Sequence, residues 1–590
     1  MKRLIILAAT LIAGLSACDS LLDKEPLDRV TQFDYFKTRS DLELFSNPFY
    51  DNLLDKTPYD EQNDLLVQMT LSDVLYGGDK RTVPNTGGGW SWGNLRRINT
   101  LLEYVDQCED KKAVTEYTAL AKFFRAAFYF DKVKRFGDVP WYEVQLGSAD
   151  EALYKPRDSR ELIMTNMIKD IDEAINSGGL TEDISTYRVN KWAALALKAR
   201  FCLFEGTYRK YHGINLEGHD YTYYLEEAAK AAKTIIDEGP YKLYSTKNPD
   251  KDYMMLFAQE NASTEEYILA IRNSYEAQVY HNATAYTLLP TQGRPGYTRK
   301  FINMYLMKDG KAFTDKFKTE WQTMPFTEEV KDRDPRLAQS IRTPGYKRIG
   351  AKRVQGPDLG VTITGYQPIK FVQDTTASGG QIDRNDRSTC DMPVFRYAEV
   401  LLNYAEAKAE LGEMDAAVWD QTIAPLRSRA GVTSVIPAKA DPYMEAYFLN
   451  TVTDKWILEV RRERGIELCL EMGLRWDDDM RWHMGDLLTS DNNPWTGIWI
   501  GNTGYTYDFT GQSTDDNGDP VPDFYIRPGE DTEHSIAISN TGANQTFSLN
   551  GEGNIVWEYR RVWSEKKYLR PIPLTAITRN PNLEQNALWK

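Results

Sequence analysis

Residues 396–431 read RYAEVLLNYAEAKAELGEMDAAVWDQTIAPLRSRAG, two apolar-periodic runs parted by Leu411-Gly412. Apolar residues recur at helical spacing in each run, small residues fall where the two helices cross, and Gly412 supplies the turn. A similar pair lies earlier in the chain. Residues 191–206 (KWAALALKARFCLFEG) present small side chains that allow close packing, and residues 224–239 (YLEEAAKAAKTIIDEG) supply the partner, closed by Gly239-Pro240. Helical spacing also predicts helices over 95–105, over 117–136 with a stop at Gly137 and Pro140, and over 160–175 ahead of Ser177-Gly178-Gly179.

The paired units resemble tetratricopeptide repeats, in which each helical hairpin buries its apolar face against the next. Their spacing outside the pairs is loose, so a repeat-derived domain is expected and not a regular solenoid. Between the helices lie zones rich in Gly, Asn, Asp, Thr and aromatics, at 77–89, 273–296, 343–387 and 490–553. Loops of that length inside a folded protein carry function or are disordered. Short strands are expected beside them, at 361–364 and 555–559. The fold class is therefore mostly α, with tetratricopeptide-like helical repeats packed with a loop-rich region containing a few short strands.

The chain begins with Met1-Lys2-Arg3, an apolar run over 4–14 and then Leu15-Ser16-Ala17-Cys18. A basic start and a short apolar core make a secretory signal, too short to span a bilayer as a mature helix. Leu-Ser-Ala-Cys resembles a bacterial lipobox, so residues 1–17 are expected to be removed and Cys18 lipidated. Residues 18–26 form a tether of at most about 25–29 Å. At about 0.8 kcal/mol per buried methylene, two or more acyl chains hold such a protein stably. No later stretch approaches eighteen apolar residues. The expected divisions after the tether are a helical region over 27–265 and a region with long loops over 266–590.

The net charge is −15, and −17 once Lys2 and Arg3 leave with the signal. No basic block occurs along the chain, which disfavours nucleic acid and favours a neutral or weakly charged ligand. Cys108, Cys202, Cys390 and Cys469 are widely spaced, with no CxxC and no Cys/His cluster, so a zinc site is not expected and buried thiols are the default. No cofactor is implied. Asp515-Asp516-Asn517-Gly518-Asp519 approaches a calcium loop but has Pro520 and Ile526 at key positions, so a structural calcium has no motif behind it.

Separated segments then carry a family resemblance: YTALAKFFRAAFYFDKVKRFGDVPW (117–141), CDMPVFRYAEVLLNYAEAKAELGE (390–413) with ILEVRRERGIELCLEMGLRWDDDMRW (457–482), and YLRPIPLTAITRNPNLEQN (568–586). In order and spacing the chain resembles the SusD/RagB family of outer-membrane lipoproteins. It departs only in its last four residues, Ala587-Leu588-Trp589-Lys590. The resemblance implies a non-catalytic protein, anchored in the outer membrane and facing the exterior. Such a protein binds an oligosaccharide and passes it to a SusC-like TonB-dependent transporter. Alternatives are a peptide-binding importer of the same family, a glycan-active hydrolase and a docking scaffold.

For ligand contacts, Gly87-Gly88-Gly89-Trp90-Ser91-Trp92-Gly93-Asn94 offers two indoles in a loop approaching a helix. Sugar rings pack a C–H face on indole while hydroxyls take polar partners, here Arg81, Asp73, Tyr76 and Asn94. Tyr280, Tyr286 and Tyr297, with Trp321 beyond, form a second candidate zone, and Trp495, Trp499, Tyr505 and Tyr507 a third aromatic loop. In the family, the ligand site gathers from comparable loops near the chain's first quarter and middle. A carrier that must release its cargo needs only about −8 to −4 kcal/mol. The carboxylates Glu459, Glu463 and Glu467 stand among arginines, which disfavours an acid role and predicts an ion-pair network along helix faces. No HExxH or Walker loop occurs.

Overall fold

Capping residues set the helix starts. The Asp110 carboxylate accepts from the backbone N–H of Lys112 and Ala113, and Ser159, Asn190, Asp220 and Asp454 each cap a helix in the same way. The computed structural model describes residues 35–53, 63–76, 81–501, 513–514, 520–521, 548–557 and 560–590. The signal, the tether with Cys18, the 515–519 loop, Tyr505 and Tyr507 lie outside the described residues.

Helices α1 (Arg39–Leu53) and α2 (Gly93–Tyr104) pack on α3 (Lys111–Phe136). The long α3 is buried on most of its circumference, which places it inside the helical layer. It is followed by α4 (Arg160–Asn176), α5 (Lys191–His212) and α6 (Tyr221–Glu238), each packed on its predecessor. Gly206 lets α5 and α6 approach closely. A Cβ at that position would lie 2.8 Å from the Leu225 side chain. The second hairpin is α7 (Tyr397–Glu410), then α8 (Ala416–Gln421) and α9 (Ile423–Arg429). Gly412 turns the chain at φ 74°, and α7 stacks on α6, so the two hairpins share one core. The second helix of this hairpin, expected to be continuous, is split at Thr422. Pro425 has no N–H for the Gln421 carbonyl, and the Thr422 N–H turns to the Trp419 carbonyl, leaving the Val418 carbonyl to the Thr422 hydroxyl. Helices α10 (Lys455–Glu467) and α11 (Leu474–Arg481) complete the layer, α10 against α7 and α11 against α5.

The strands are short. β1 (Leu66–Val67) pairs antiparallel with β3 (Gly296–Tyr297), and β2 (Tyr267–Ile271) with β4 (Met392–Arg396). The first pairing joins residues on either side of the division expected at 265. β5 (Thr496–Trp499), β9 (Asn554–Val556) and β8 (Ser548–Leu549) form a three-stranded sheet, and β6 (Ser513–Thr514) pairs with β7 (Pro520–Val521). The stretch 361–364, expected to be a strand, is not one. Its Val361 and Thr362 N–H groups donate to the Asp358 carbonyl and its Ile363 N–H to Arg294, so no single neighbour can form a ladder with it. Cys108, Cys202, Cys390 and Cys469 are all buried and free. Among the described residues no helix is long and apolar enough to cross a membrane.

Candidate functional site

The irregular segment ahead of α2 divides two clefts. Trp90 and Trp92 line one of about 540 Å³; Ser91 and Asn94 line the other, of about 630 Å³, together with Arg81. Both indoles are half-buried. Trp90 sits edge-on to Phe136 at 4.8 Å and to Trp92 at 5.3 Å, and Trp92 meets Tyr142 at 5.8 Å. Each ring thus gives one part to the core and another to the cleft.

The remaining walls come from far along the chain. Tyr142 and Val144 belong to the loop after α3, and that loop is held rigidly. Asn99 on α2 donates to the Tyr142 and Val144 carbonyls at 3.0 and 3.1 Å, and Tyr129 receives the Tyr142 N–H at 2.6 Å. Arg125 donates twice to buried Asp170, at 2.6 and 2.7 Å, and also to the Glu143 carbonyl. The same cleft is lined by Pro573, Arg579 and Asn580 of the C-terminal segment. This segment is fastened to the Trp90 loop by the Leu574 and Thr575 N–H groups, which donate to the Pro84 and Asn85 carbonyls. Tyr142, Arg579, Asn580 and Arg96 were not among the sequence candidates. The segments holding Tyr142's neighbours and Asn580 carry the family resemblance, but nothing local to either shows that they line one cleft.

Asp73 pairs with Arg81 at 3.0 Å, and Tyr76 is 36% exposed and bridges to Arg561 through its backbone. Neither lines either cleft, nor do Tyr280, Tyr286, Tyr297 or Trp321. Tyr297 needs correction as a ligand candidate. It is fully buried in β3 and its hydroxyl donates to the Cys469 sulfur, so no dissolved ligand reaches it. Tyr286 is half-buried and donates to Gln68 at 2.6 Å, which ties its helical turn to the residue after β1. Trp321 packs edge-on to Tyr443 under the Arg299 guanidinium. Tyr280 lies beneath Arg387 at 4.9 Å, beside exposed Tyr275. In the third aromatic loop, Trp495 is buried under Arg561 and Trp499 donates to the Glu552 carbonyl.

His281 adjoins this second zone and is held neutral. Ala283 N–H donates to Nδ1, while Nε2–H donates to the Cys390 carbonyl at 2.9 Å. Burial pushes its pKa down from 6.5 to about 4. Between those values the unfolded chain takes up a proton that the folded chain refuses. The stability present above pH 6.5 is therefore lost as pH falls towards 4, by roughly 3 kcal/mol at about 1.4 kcal/mol per unit. His281→Asn is expected to flatten the melting temperature against pH over that window; curves parallel to wild type would refute the assignment.

The carboxylates weighed for catalysis are structural. Glu459, Glu463 and Glu467 lie in the core, and their arginine partners come mostly from other elements, Arg336, Arg396, Arg427 and Arg429. The network is thus inter-element and buried, where helix-face pairs were expected. Burial would raise Glu467, but Arg429, Arg396 and Arg336 outweigh it and hold the carboxyl well below its usual range. A group held ionised in this way is no proton donor. Among the described residues no three His, Cys, Asp or Glu side chains are placed to hold a metal ion.

Stacked helical hairpins capped by irregular loops place the chain in the class of tetratricopeptide-like helical-repeat proteins. Residues 256–589 match the model described as the SusD family, and residues 35–195 match one described as starch-binding associating with outer membrane. The chain belongs to the SusD family. A SusD-like protein of Formosa agariphila is 24% identical over 82% of this chain and 93% of its own length. Two solved structures from Bacteroides fragilis share the fold. One, a SusD-like protein, has a TM-score of 0.65 at 19% identity, covering 96% of this chain and all of the other. The second, described as a SusD-like carbohydrate binding protein, has a TM-score of 0.64 at 21% identity over 93% of this chain and all of the other.

Proposed function

We propose that this chain is a non-catalytic lipoprotein, anchored through Cys18 on the exterior of the outer membrane. It binds an oligosaccharide beside Trp90 and delivers it to a SusC-like TonB-dependent transporter. The observation that carries the reading is the shared wall of Trp90, Trp92 and Tyr142 in one cleft, with Arg96, Arg579 and Asn580 around it. Aromatic faces take the C–H side of a sugar ring and polar groups at the rim take its hydroxyls. The carbohydrate-binding description of the Bacteroides fragilis relative and the starch-binding description of the matching N-terminal model support the same ligand class.

Trp90→Ala is expected to weaken glycan binding tenfold or more, about 1.4 kcal/mol. The ring also packs on Phe136, so a modest fall in melting temperature accompanies the change, and affinity is measured well below the melt. Tyr280→Ala, outside both clefts, serves as the control. Unchanged affinity in Trp90→Ala, for a glycan that wild type binds, removes this cleft as the site.

A further inference from the structure

The chain carries 71 basic against 86 acidic residues, yet the cleft on the Asn94 side is lined by an excess of cations. Arg81, Lys132, Arg135 and Arg570 border one concavity with Asp131, and Asp73 stands behind Arg81. The two carboxylates do not balance the four cations. Asp73 takes Arg81 at 3.0 Å, and Asp131 takes Arg135 at 2.7 Å with Lys132 at 3.6 Å. The Arg570 guanidinium has no hydrogen-bond or ion-pair partner among the described residues, although its backbone N–H is fixed on the Arg135 carbonyl at 2.6 Å. The cleft's other cations are already engaged: Lys134 by Asp477, Arg200 by Glu399 and Lys567 by the Val562 carbonyl.

The local structure holds these charges together. Lys132 donates to the Gly89 carbonyl at 2.7 Å, and a Cβ on Gly89 would lie 2.8 Å from the Arg135 guanidinium. The glycine turn that presents Trp90 to one cleft thereby seats two cations in the other. Burial pushes the Arg570 pKa down to about 10, with Arg135 and Arg81 adding to the shift against the weaker opposing pull of Asp131 and Asp73. Burial likewise lowers Lys132, and Arg135 and Arg570 add to the shift against the opposing pull of Asp131. Like charges gathered in a half-buried concavity repel unless an anion joins them, and a guanidinium with free donors matches the two oxygens of a carboxylate or sulfate.

We propose that this cleft is an oxyanion subsite, in which the Arg570 guanidinium binds the carboxylate or sulfate ester of an acidic oligosaccharide while Arg81 and Lys132, held by Asp73 and Asp131, add positive potential around it. The inference rests on the oligosaccharide reading above and narrows it to anionic glycans. It also revises the expectation of a neutral or weakly charged ligand, which followed from the chain's net charge and the absence of a basic block along it.

The test is affinity electrophoresis of the protein through gels containing neutral polysaccharides (starch, galactomannan), a carboxylated one (polygalacturonate) and sulfated ones (carrageenan, dextran sulfate). The expected result is retention by a carboxylated or sulfated polymer, which also names the source of the oxyanion. That retention should weaken at least tenfold in Arg570→Gln and fade between about 0.05 and 0.5 M salt as the charges are screened. Arg570→Gln relieves repulsion, so its melting temperature should equal or exceed wild type; Arg81→Gln is the second variant, and Arg570→Lys should restore part of the affinity. Retention by neutral polymers alone overturns the oxyanion subsite and leaves the oligosaccharide reading standing. Retention by acidic polymers that Arg570→Gln and Arg81→Gln both leave unchanged overturns the subsite as well. Retention by no polymer overturns both.

Discussion

Glu467→Ala is expected to lower the unfolding free energy by about 3–5 kcal/mol, the range for removing one partner of a buried ion pair. The carboxylate receives Arg336 at 2.9 Å, Arg396 at 2.8 Å and Arg429 at 2.5 Å, all of them in the core. Without it Arg336 keeps Asp334 and Glu463, and Arg396 keeps Glu266 and Glu471. Arg429 is left with Glu266 at 3.4 Å, an almost unpaired charge out of reach of water. Glu467→Gln retains one acceptor and should cost less. Chemical unfolding followed by tryptophan fluorescence measures both, and a loss under about 1 kcal/mol in Glu467→Ala would show that the network is not cohesive. Because the folded pKa of Glu467 lies below 4.5, its stabilisation is present above that pH and is lost as pH falls through the folded value, so the variant and wild type should converge in acid.

The second large effect joins core to cleft. Arg125→Met should cost about 3 kcal/mol or more, because Asp170 is left buried without its bidentate partner. Arg125 also donates to the Glu143 carbonyl, and Asn99 beside it holds the Tyr142 and Val144 carbonyls. Loosening this loop frees one aromatic wall of the Trp90 cleft. Glycan affinity should therefore fall several-fold at temperatures where the variant remains folded. A destabilised variant with wild-type affinity would mean that the wall does not need Arg125.

Much of the helical layer is legible from pattern alone. Gly137 and Gly239 mark helix ends and the alanines of α6 mark a close crossing, whereas the start of α3 at Lys111, ahead of the run read from 117, is set by the Asp110 cap. The Trp90-Ser91-Trp92 segment was identifiable as a ligand candidate because two indoles in a glycine-rich loop are poorly explained by a core alone. Arg570 and Asn580 gave no such signal. They sit in a segment whose contacts with the Trp90 loop span 490 positions in the case of Thr575 and Asn85. The β2–β4 pair escaped for the same reason, since pairing over such separations leaves no local period.

Charge shows the division most clearly. Residues 457–482 declare dense carboxylates and arginines, and from them a salt-bridge network in place of a catalytic pair follows directly. Whether those charges sit on helix faces in water or inside the core is decided by Arg336, Arg396, Arg427 and Arg429, which arrive from other elements. Net charge likewise says that the protein as a whole is acidic, and only the folded cleft brings Arg81 and Arg570 beside Lys132 and Arg135 of α3. Helical period and cap chemistry act over a few residues and survive in the order of the chain. Coulomb interactions and cavity shape depend on distance in space, which that order does not contain until the helices have packed.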